Sequence, residues 1–325
     1  MTQQSPIDLA IVICTFRREA LLRKALASVV AQNCPGGMRV NVIVVDNSDE
    51  GSAKSVVESF ASDSPFDIRW IEAHPPNISA ARNAGVRAAG ASYVAFIDDD
   101  QELEPGWLEA VAQAIRAYPY DVLFGAVEPV FEAPDRATAM ARQLFSRQMD
   151  KIAGEELFAY GSGKTHGVAL ATNNSLFKRA AALCDADPFD VAFGNGGGED
   201  FDLFCRLQRR GCRFGWLPTA RVREFVPASR CDASYLRRRY YAGGQAFAAA
   251  IAGKSRFPNA ARWGLRVKAA MQAAVLTALT PLYAWRGKDA FVDHSYRLAG
   301  VLGKLSLGGI YPIYRESDSK IRSRA

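Results

Sequence analysis

Two short stretches each crowd three carboxylates in a way that demands an explanation. The run "FIDDDQELEPGW" sets Asp98, Asp99 and Asp100 side by side, and "GGGEDFDL" sets Glu199, Asp200 and Asp202 behind three glycines. Carboxylates this close repel one another, and burying them is costly unless positive charge arrives. Hard divalent cations take oxygen ligands, and Mg2+ commonly uses one or two carboxylates together with the phosphates of a substrate. The first cluster therefore reads as a place where a cation and a phosphorylated ligand arrive together. A carboxylate of the second, on a backbone that glycine leaves permissive, has the chemistry of a general base toward a hydroxyl. Plainer readings stand beside both. Asp is common in solvated turns after strands, and acids at a helix start cap free N–H groups and offset the helix dipole.

The elements around the first cluster argue against a mere turn. Residues 7–13 ("IDLAIVI"), 39–46, 67–73 and 92–97 are short apolar runs rich in β-branched side chains, which predicts buried strands. Between them, 18–32 places Leu21, Leu22, Ala25, Leu26 and Val29 on one helical face, and the stretches around 50–61 and 78–90 also have helical character. Strands alternating with helices predict an α/β fold, a parallel sheet covered on both faces. Ligands of such sheets bind beyond the carboxyl ends of the strands. There the first strand ends at Thr15, the second at Asp46 and the fourth at the three acids. Arg82, on a small-residue helix with Asn83, is either a surface arginine or a group under the same rim, set against a base or phosphate.

The chain has 325 residues, enough for one large domain or two modest ones, and its 49% apolar content excludes a disordered chain. Its net charge of +6 hides a split. Residues 1–200 carry 17 basic and 27 acidic side chains, whereas 201–325 carry 23 and 7, so a net of −10 precedes a net of +16. A strongly basic rear points to an anionic partner. Six cysteines without a C-x-x-C pair fit a reduced, cytoplasmic setting, and the first sixteen residues read as a strand and not as a signal peptide. The loop "GSGKTHG" (161–167), which includes His166, fails the phosphate-loop spacing, since Phe158 stands where a glycine is needed. No G-x-G-x-x-G follows the first strand, and His74 and His294 are isolated.

Farther along, 121–131 reads as a strand pair or a bent strand, 132–165 as a helix and a mobile loop, and 168–183 as strand, turn and helix. Residues 194–211 form a glycine-rich loop and a helix, and 212–227 edge strands. After about residue 235 the chain is basic, aromatic and apolar. Its uncharged stretch 269–285 is shorter than the ~20 residues of a membrane-spanning helix.

Taken in order, "IVICTFRREALLRKALASVVAQ", "VIVVDNSDEG", "ISAARNAGVRAAGASYVAFIDDDQELEPGWL" and "GGGEDFDLFCRLQRRG" resemble family 2 glycosyltransferases of the GT-A fold, over roughly residues 7–240. The later "VREFVPASR" and "YLRRRYYAGGQAF" are similar to the bacterial exopolysaccharide branch, which includes succinoglycan-type glucosyltransferases acting on lipid-linked oligosaccharides. The resemblance implies a GT-A domain over 1–235, with a nucleotide-binding half (1–105) and an acceptor half (106–235). It leaves 236–325 as a helical, membrane-associating extension. It implies that Thr15 and Asp46 hold the nucleotide base with help from Arg82. It puts Asp98 on the ribose, Asp99 between the two acids of a D-x-D motif, and Asp100 on Mg2+ or Mn2+. Asp200 is then the catalytic base, Glu199 helps to position the acceptor, and Asn174 lies on the acceptor side. Many relatives carry a His after the E-D motif, where this chain offers Glu224; either this oxygen ligand replaces the His or the metal rests on Asp100 alone. The implied reaction is inverting transfer from a nucleotide-diphosphate sugar, UDP-glucose or a related UDP-hexose, to a lipid-linked saccharide. The enzyme would be peripheral or monotopic on the cytoplasmic side of an anionic membrane, with Arg237–Arg239 near the acceptor diphosphate and no role for nucleic acid. A sugar nucleotidyltransferase is the rival enzyme, and a non-catalytic nucleotide-sugar-binding membrane scaffold the rival of another kind.

Overall fold

The computed structural model describes residues 6–161, 164–165, 170–253 and 255–313. The loop reading of 161–167, His166 included, lies largely outside them. The first hundred residues alternate as the sequence predicts: β1 (Ile7–Thr15), α1 (Glu19–Val30), β2 (Met38–Asp46), α2 (Lys54–Ala61), β3 (Asp67–Glu72), α3 (Ile78–Ala88) and β4 (Tyr93–Asp98). Then come β5 (Gln101–Leu103), α4 (Trp107–Ala117), β6 (Val122–Phe131), α5 (Ala139–Phe145), β7 (Glu156–Leu157), β8 (Ser175–Lys178), α6 (Arg179–Ala182), α7 (Glu199–Arg209) and β9 (Phe214–Val226). Three helices close the described chain: α8 (Ala233–Gly253), α9 (Pro258–Trp285) and α10 (Lys288–Leu305).

One mixed sheet runs β3-β2-β1-β4-β8-β6-β9-β5, with β7 paired to β9. Its β3-β2-β1-β4 half is parallel. β8 then lies antiparallel between β4 and β6, and β9 pairs antiparallel with β5 and β7. The chain leaves β1 for β2 and β3 on one side and returns to β4 on the other. The β1/β4 boundary is therefore a topological switch point, where open α/β sheets bind ligands. Residues 212–227 are not edge strands. The single strand β9 takes up most of them and is flanked by β6 and β5.

Alternation along β1 explains the two covered faces. Leu9, Ile11 and Ile13 pack with Leu22, Leu26 and Val29 of α1. Val12 points the other way, toward α3, where a Cβ on Gly85 would lie 2.4 Å from its Cγ1. Gly85 thus lets α3 lie close to the sheet.

Contacts divide the chain into two compact units. The first comprises Met1–Val130, Phe145–Phe189 and Leu207–Phe225; the second comprises Phe131–Leu144, Asp190–Arg206 and Val226–Ala325. In the second, α8 and α10 cross almost backbone to backbone. A Cβ on Gly244 would lie 2.0 Å from the Gly300 carbonyl oxygen, and one on Gly303 would lie 2.0 Å from that of Tyr241. Gln245 of α8 also donates to Ser306 Oγ and the Gly309 carbonyl, and accepts from the Tyr311 amide.

Candidate active site

In the first unit, pairing register brings the strand ends level. Thr15 pairs with Asp46, Cys14 with Asp98 and Asp46 with Glu72, so four parallel strands stop in one row at the switch point. The acids turn from β4 into β5 at this rim. Thr15 Oγ1 donates to Asp99 Oδ2 at 2.8 Å. The Arg18 guanidinium donates to Asp99 Oδ1 at 3.0 Å and to Asp100 Oδ2 at 3.3 Å, so a cation bridges the two carboxylates. Burial pushes the Asp99 carboxyl above its ordinary range; Arg18 opposes the rise, Asp100 adds to it and the Thr15 hydrogen bond opposes it. Burial likewise pushes the neighbouring Cys14 thiol up to about 12, which makes it a poor nucleophile.

Gln101 closes the turn. Its Oε1 accepts from the Asp98 amide at 3.2 Å, and its Nε2 donates to Glu224 Oε2 at 2.9 Å. The same Glu224 oxygen accepts from Asn173 Nδ2 at 2.9 Å. Register pairs Gln101 with Glu224, and the Phe225 amide donates to the Asp100 carbonyl at 2.8 Å. Glu224 is therefore held directly across from the acidic turn, although it lies more than a hundred residues away in sequence. Arg147, buried, fixes the loop that presents Asn173. It donates to the carbonyls of Gly125, Ala171, Asn173 and Asn174 and to Asn173 Oδ1.

Arg82 lies 3.8 Å from Asp98 Oδ1, with its guanidinium 5.7 Å from the Phe189 ring centre. Its helix is fixed at its N-terminus and at its middle. Asn77 caps α3 by accepting from the amides of Ser79 and Ala80. Asn83 exchanges hydrogen bonds with the Phe189 backbone, at 2.8 and 2.9 Å. Asp46 is fully buried, and its carboxylate accepts from the Ser48 amide at 2.9 Å and the Ala53 amide at 2.7 Å. It shapes the turn after β2. Asn174, expected on the acceptor side, is buried inside the sheet instead. Its amide donates to the carbonyls of Ala126 and Ala220 and accepts from Trp107 Nε1, so it ties β6, β9 and α4 together.

In the second unit, the glycine-rich stretch serves packing. A Cβ on Gly196 would lie 2.4 Å from Ile310 Cγ2, and one on Gly198 would lie 2.3 Å from Ala246 Cβ; Gly198 also has a φ of +98°. These glycines admit α8 and the segment after α10. Glu199, Asp200 and Asp202 occupy the first turn of α7. Asp202 is committed to that helix through its ion pair with Arg206, at 2.7 Å. Glu199 is buried and Asp200 is half-buried, which leaves Asp200 the more accessible of the pair.

The donor set at the rim is all oxygen, the chemistry of a hard cation. Among the described residues no three His, Cys, Asp or Glu side chains converge to hold a metal ion by themselves. Sequence reasoning passed over Arg18, Gln101, Asn173 and Arg147. The second basic residue of "TFRR" is the one local signal for Arg18, and the other three gain their roles only through strand pairing.

A parallel half-sheet with a topological switch point and an acidic turn at its rim is the architecture of a ligand-binding α/β fold. The profile of glycosyl transferase family 2 matches residues 10–172, and that of glycosyl transferase family group 2 matches 93–302. The chain belongs to glycosyl transferase family 2 and is a glycosyltransferase. It is 30% identical over 296 residues to the succinoglycan biosynthesis protein ExoM of Rhizobium meliloti, covering 90% of this chain and 92% of that one. It is 31% identical over 108 residues to the GalNAc(5)-diNAcBac-PP-undecaprenol beta-1,3-glucosyltransferase of Campylobacter jejuni, covering 32% of this chain and 33% of that one. Residues 1–349 of S. aureus TarS, crystallised with UDP, share the fold, with a TM-score of 0.56 at 16% identity, covering 98% of this chain and 92% of that one.

Proposed function

We propose that the protein is an inverting hexosyltransferase. Its donor is a nucleotide-diphosphate sugar, UDP-glucose or a related UDP-hexose. Its acceptor is a hydroxyl of a lipid-linked oligosaccharide used in exopolysaccharide or cell-surface glycan synthesis. The observation that carries this reading is the level row of strand ends, Thr15, Asp46 and Asp98, beside the turn of Asp99 and Asp100. The similarity to ExoM along nearly the whole chain supports a saccharide-building role. The undecaprenol-linked substrate in the name of the Campylobacter relative supports a lipid-linked acceptor.

Thr15 and Arg82 line the nucleotide site in this reading, and Asp46 acts through the turn it fixes. Asp98 meets the ribose, and Asp99 tethers the motif through Thr15 and Arg18. Mg2+ or Mn2+, held by Asp100 and Glu224 with the donor's phosphates, would offset charge on the leaving diphosphate. Glu199 positions the acceptor, and Asp200 accepts the proton of its hydroxyl. The freed oxygen bonds to the anomeric carbon from the face opposite the diphosphate. The bond from that carbon to the diphosphate oxygen breaks, its electron pair leaves with the nucleoside diphosphate, and the anomeric configuration inverts. Residues 1–235 form the catalytic domain and 236–325 the extension that holds the enzyme on the cytoplasmic face of an anionic membrane.

Thermal unfolding with a panel of nucleotide sugars, with and without Mn2+, tests the donor assignment. A Mn2+-dependent rise in melting temperature with a UDP-hexose is expected, and Asp100→Ala should remove most of it. Pyrophosphate release from a nucleoside triphosphate and a sugar 1-phosphate would mark a nucleotidyltransferase instead. Binding of a UDP-hexose without transfer to any lipid-linked acceptor would mark a scaffold.

A further inference from the structure

The second unit contains a helix face that the described residues leave uncovered. One side of α9 packs inward. Ala269 is buried there, Thr280 Oγ1 lies 3.2 Å from His294 Nε2 of α10, and Tyr283 stacks on the His294 ring at 4.3 Å. The outward side carries Trp263, Val267, Met271, Val275, Leu279 and Leu282, spaced by three or four residues. Trp263 is 65% exposed, Met271 60% and Val275 59%, and Trp285 at the helix end is 84% exposed. Soluble surfaces seldom leave so long an apolar stripe open. The two tryptophans stand 22 residues apart in sequence, which is about 33 Å of helix.

The charge around this face selects its occupant. From Pro258 to Trp285 there is no acidic residue. Arg262, Arg266 and Lys268 lie in its first half, and Arg256, Arg286 and Lys288 flank it. The Arg266 guanidinium sits over the Trp263 ring at 5.6 Å, and that of Arg286 over Tyr283 at 6.0 Å. Between Trp263 and Trp285 the exposed polar side chains are Lys268, Gln272 and Thr277. A protein partner would find little there to hydrogen-bond. A lipid surface asks only for apolar side chains to bury, aromatic rings at headgroup level and cations for its phosphates. Among the described residues no helix is long and apolar enough to cross a membrane, so the face can lie on a bilayer without α9 spanning it.

We infer that the outward face of α9 is the surface through which this protein docks on an anionic lipid bilayer, with the helix lying in the headgroup plane. The inference deepens the lipid-linked-acceptor reading above and rests on it for its biological sense. Its test is independent of sugar chemistry. The full chain is sedimented with vesicles of phosphatidylcholine containing phosphatidylglycerol, and with vesicles of phosphatidylcholine alone. Parent protein should partition onto the first much more than onto the second. The triple variant Val267→Glu, Met271→Glu, Val275→Glu replaces exposed side chains only, so folding should persist, which its thermal unfolding curve checks. Its partitioning onto anionic vesicles should fall by about tenfold or more, since binding scales with buried apolar area. Parental partitioning by the triple variant would overturn the inference, as would parent binding that ignores phosphatidylglycerol. A parent dimer in light scattering that becomes monomeric in the triple variant, without vesicle binding by either, would assign the face to a second copy and also overturn it. A parent that docks on vesicles but answers to no nucleotide sugar would leave this inference standing and remove the proposed donor assignment.

Discussion

Asp99 concentrates the electrostatic problem of the acidic turn. It is buried, it lies beside Asp100, and it is relieved only by Arg18 and Thr15. The net effect raises its pKa, so folding favours the protonated acid. The stability this group contributes is then fully present below its unfolded pKa and is lost as pH rises through the folded one. Asp99→Asn removes that loss. In metal-free buffer the variant's melting temperature relative to the parent should climb as pH rises through the acid range into neutrality. A relative melting temperature that falls over that range would contradict this electrostatic description. The acids, Thr15, Asp46 and Arg82 were visible in sequence because each follows or flanks an apolar run. Arg18, Gln101 and Asn173 were not, because their meaning depends on partners 51 to 123 positions away. Asn174 misled for the same reason, since only the sheet shows that its amide is spent on Ala126, Ala220 and Trp107.

At the scale of elements, the first four strands were legible from apolar runs and the helices between them. The strands at 121–131 and within 168–183 were legible too, but their antiparallel pairing was not. β8 is only four residues long, and β9, with Pro218 inside it, sits between β6 and β5 because of pairings that no local period encodes. The glycines of α8 and α10 were equally mute until the crossing showed their use. Gly244→Ala would set a methyl group 2.0 Å from the Gly300 carbonyl oxygen, a backbone atom that cannot turn aside. The helices must separate, and overpacking of this kind costs about 1–3 kcal/mol. Urea unfolding should show a lowered midpoint of that size. Gly243→Ala, one residue away and facing open space, should be neutral or slightly stabilising, since alanine is the better helix former. Equal effects of the two substitutions would refute the close crossing.

The whole molecule combines an acidic front with a basic rear, a net of −10 followed by +16. If the rear meets anionic headgroups, vesicle binding must weaken with ionic strength. Raising salt from about 0.1 M to about 1 M shortens the Debye length from ~10 Å to ~3 Å. Partitioning onto phosphatidylglycerol vesicles should drop several-fold, while the apolar face of α9 keeps a residue of binding. Salt-independent partitioning would leave the basic rear without this role. The central claim concerns the reaction itself, and one experiment reaches it most directly. Parent and Asp200→Asn proteins are given the donor that stabilises them and a lipid-linked acceptor. Product formation, the anomeric configuration of the new linkage and donor affinity are then measured together. The parent should form product with the configuration inverted. Asp200→Asn should lose about a thousandfold or more in transfer, the scale of a missing general base, with donor affinity nearly unchanged. Transfer by the Asn variant at the parental rate, or a retained configuration in the parent product, would contradict the account.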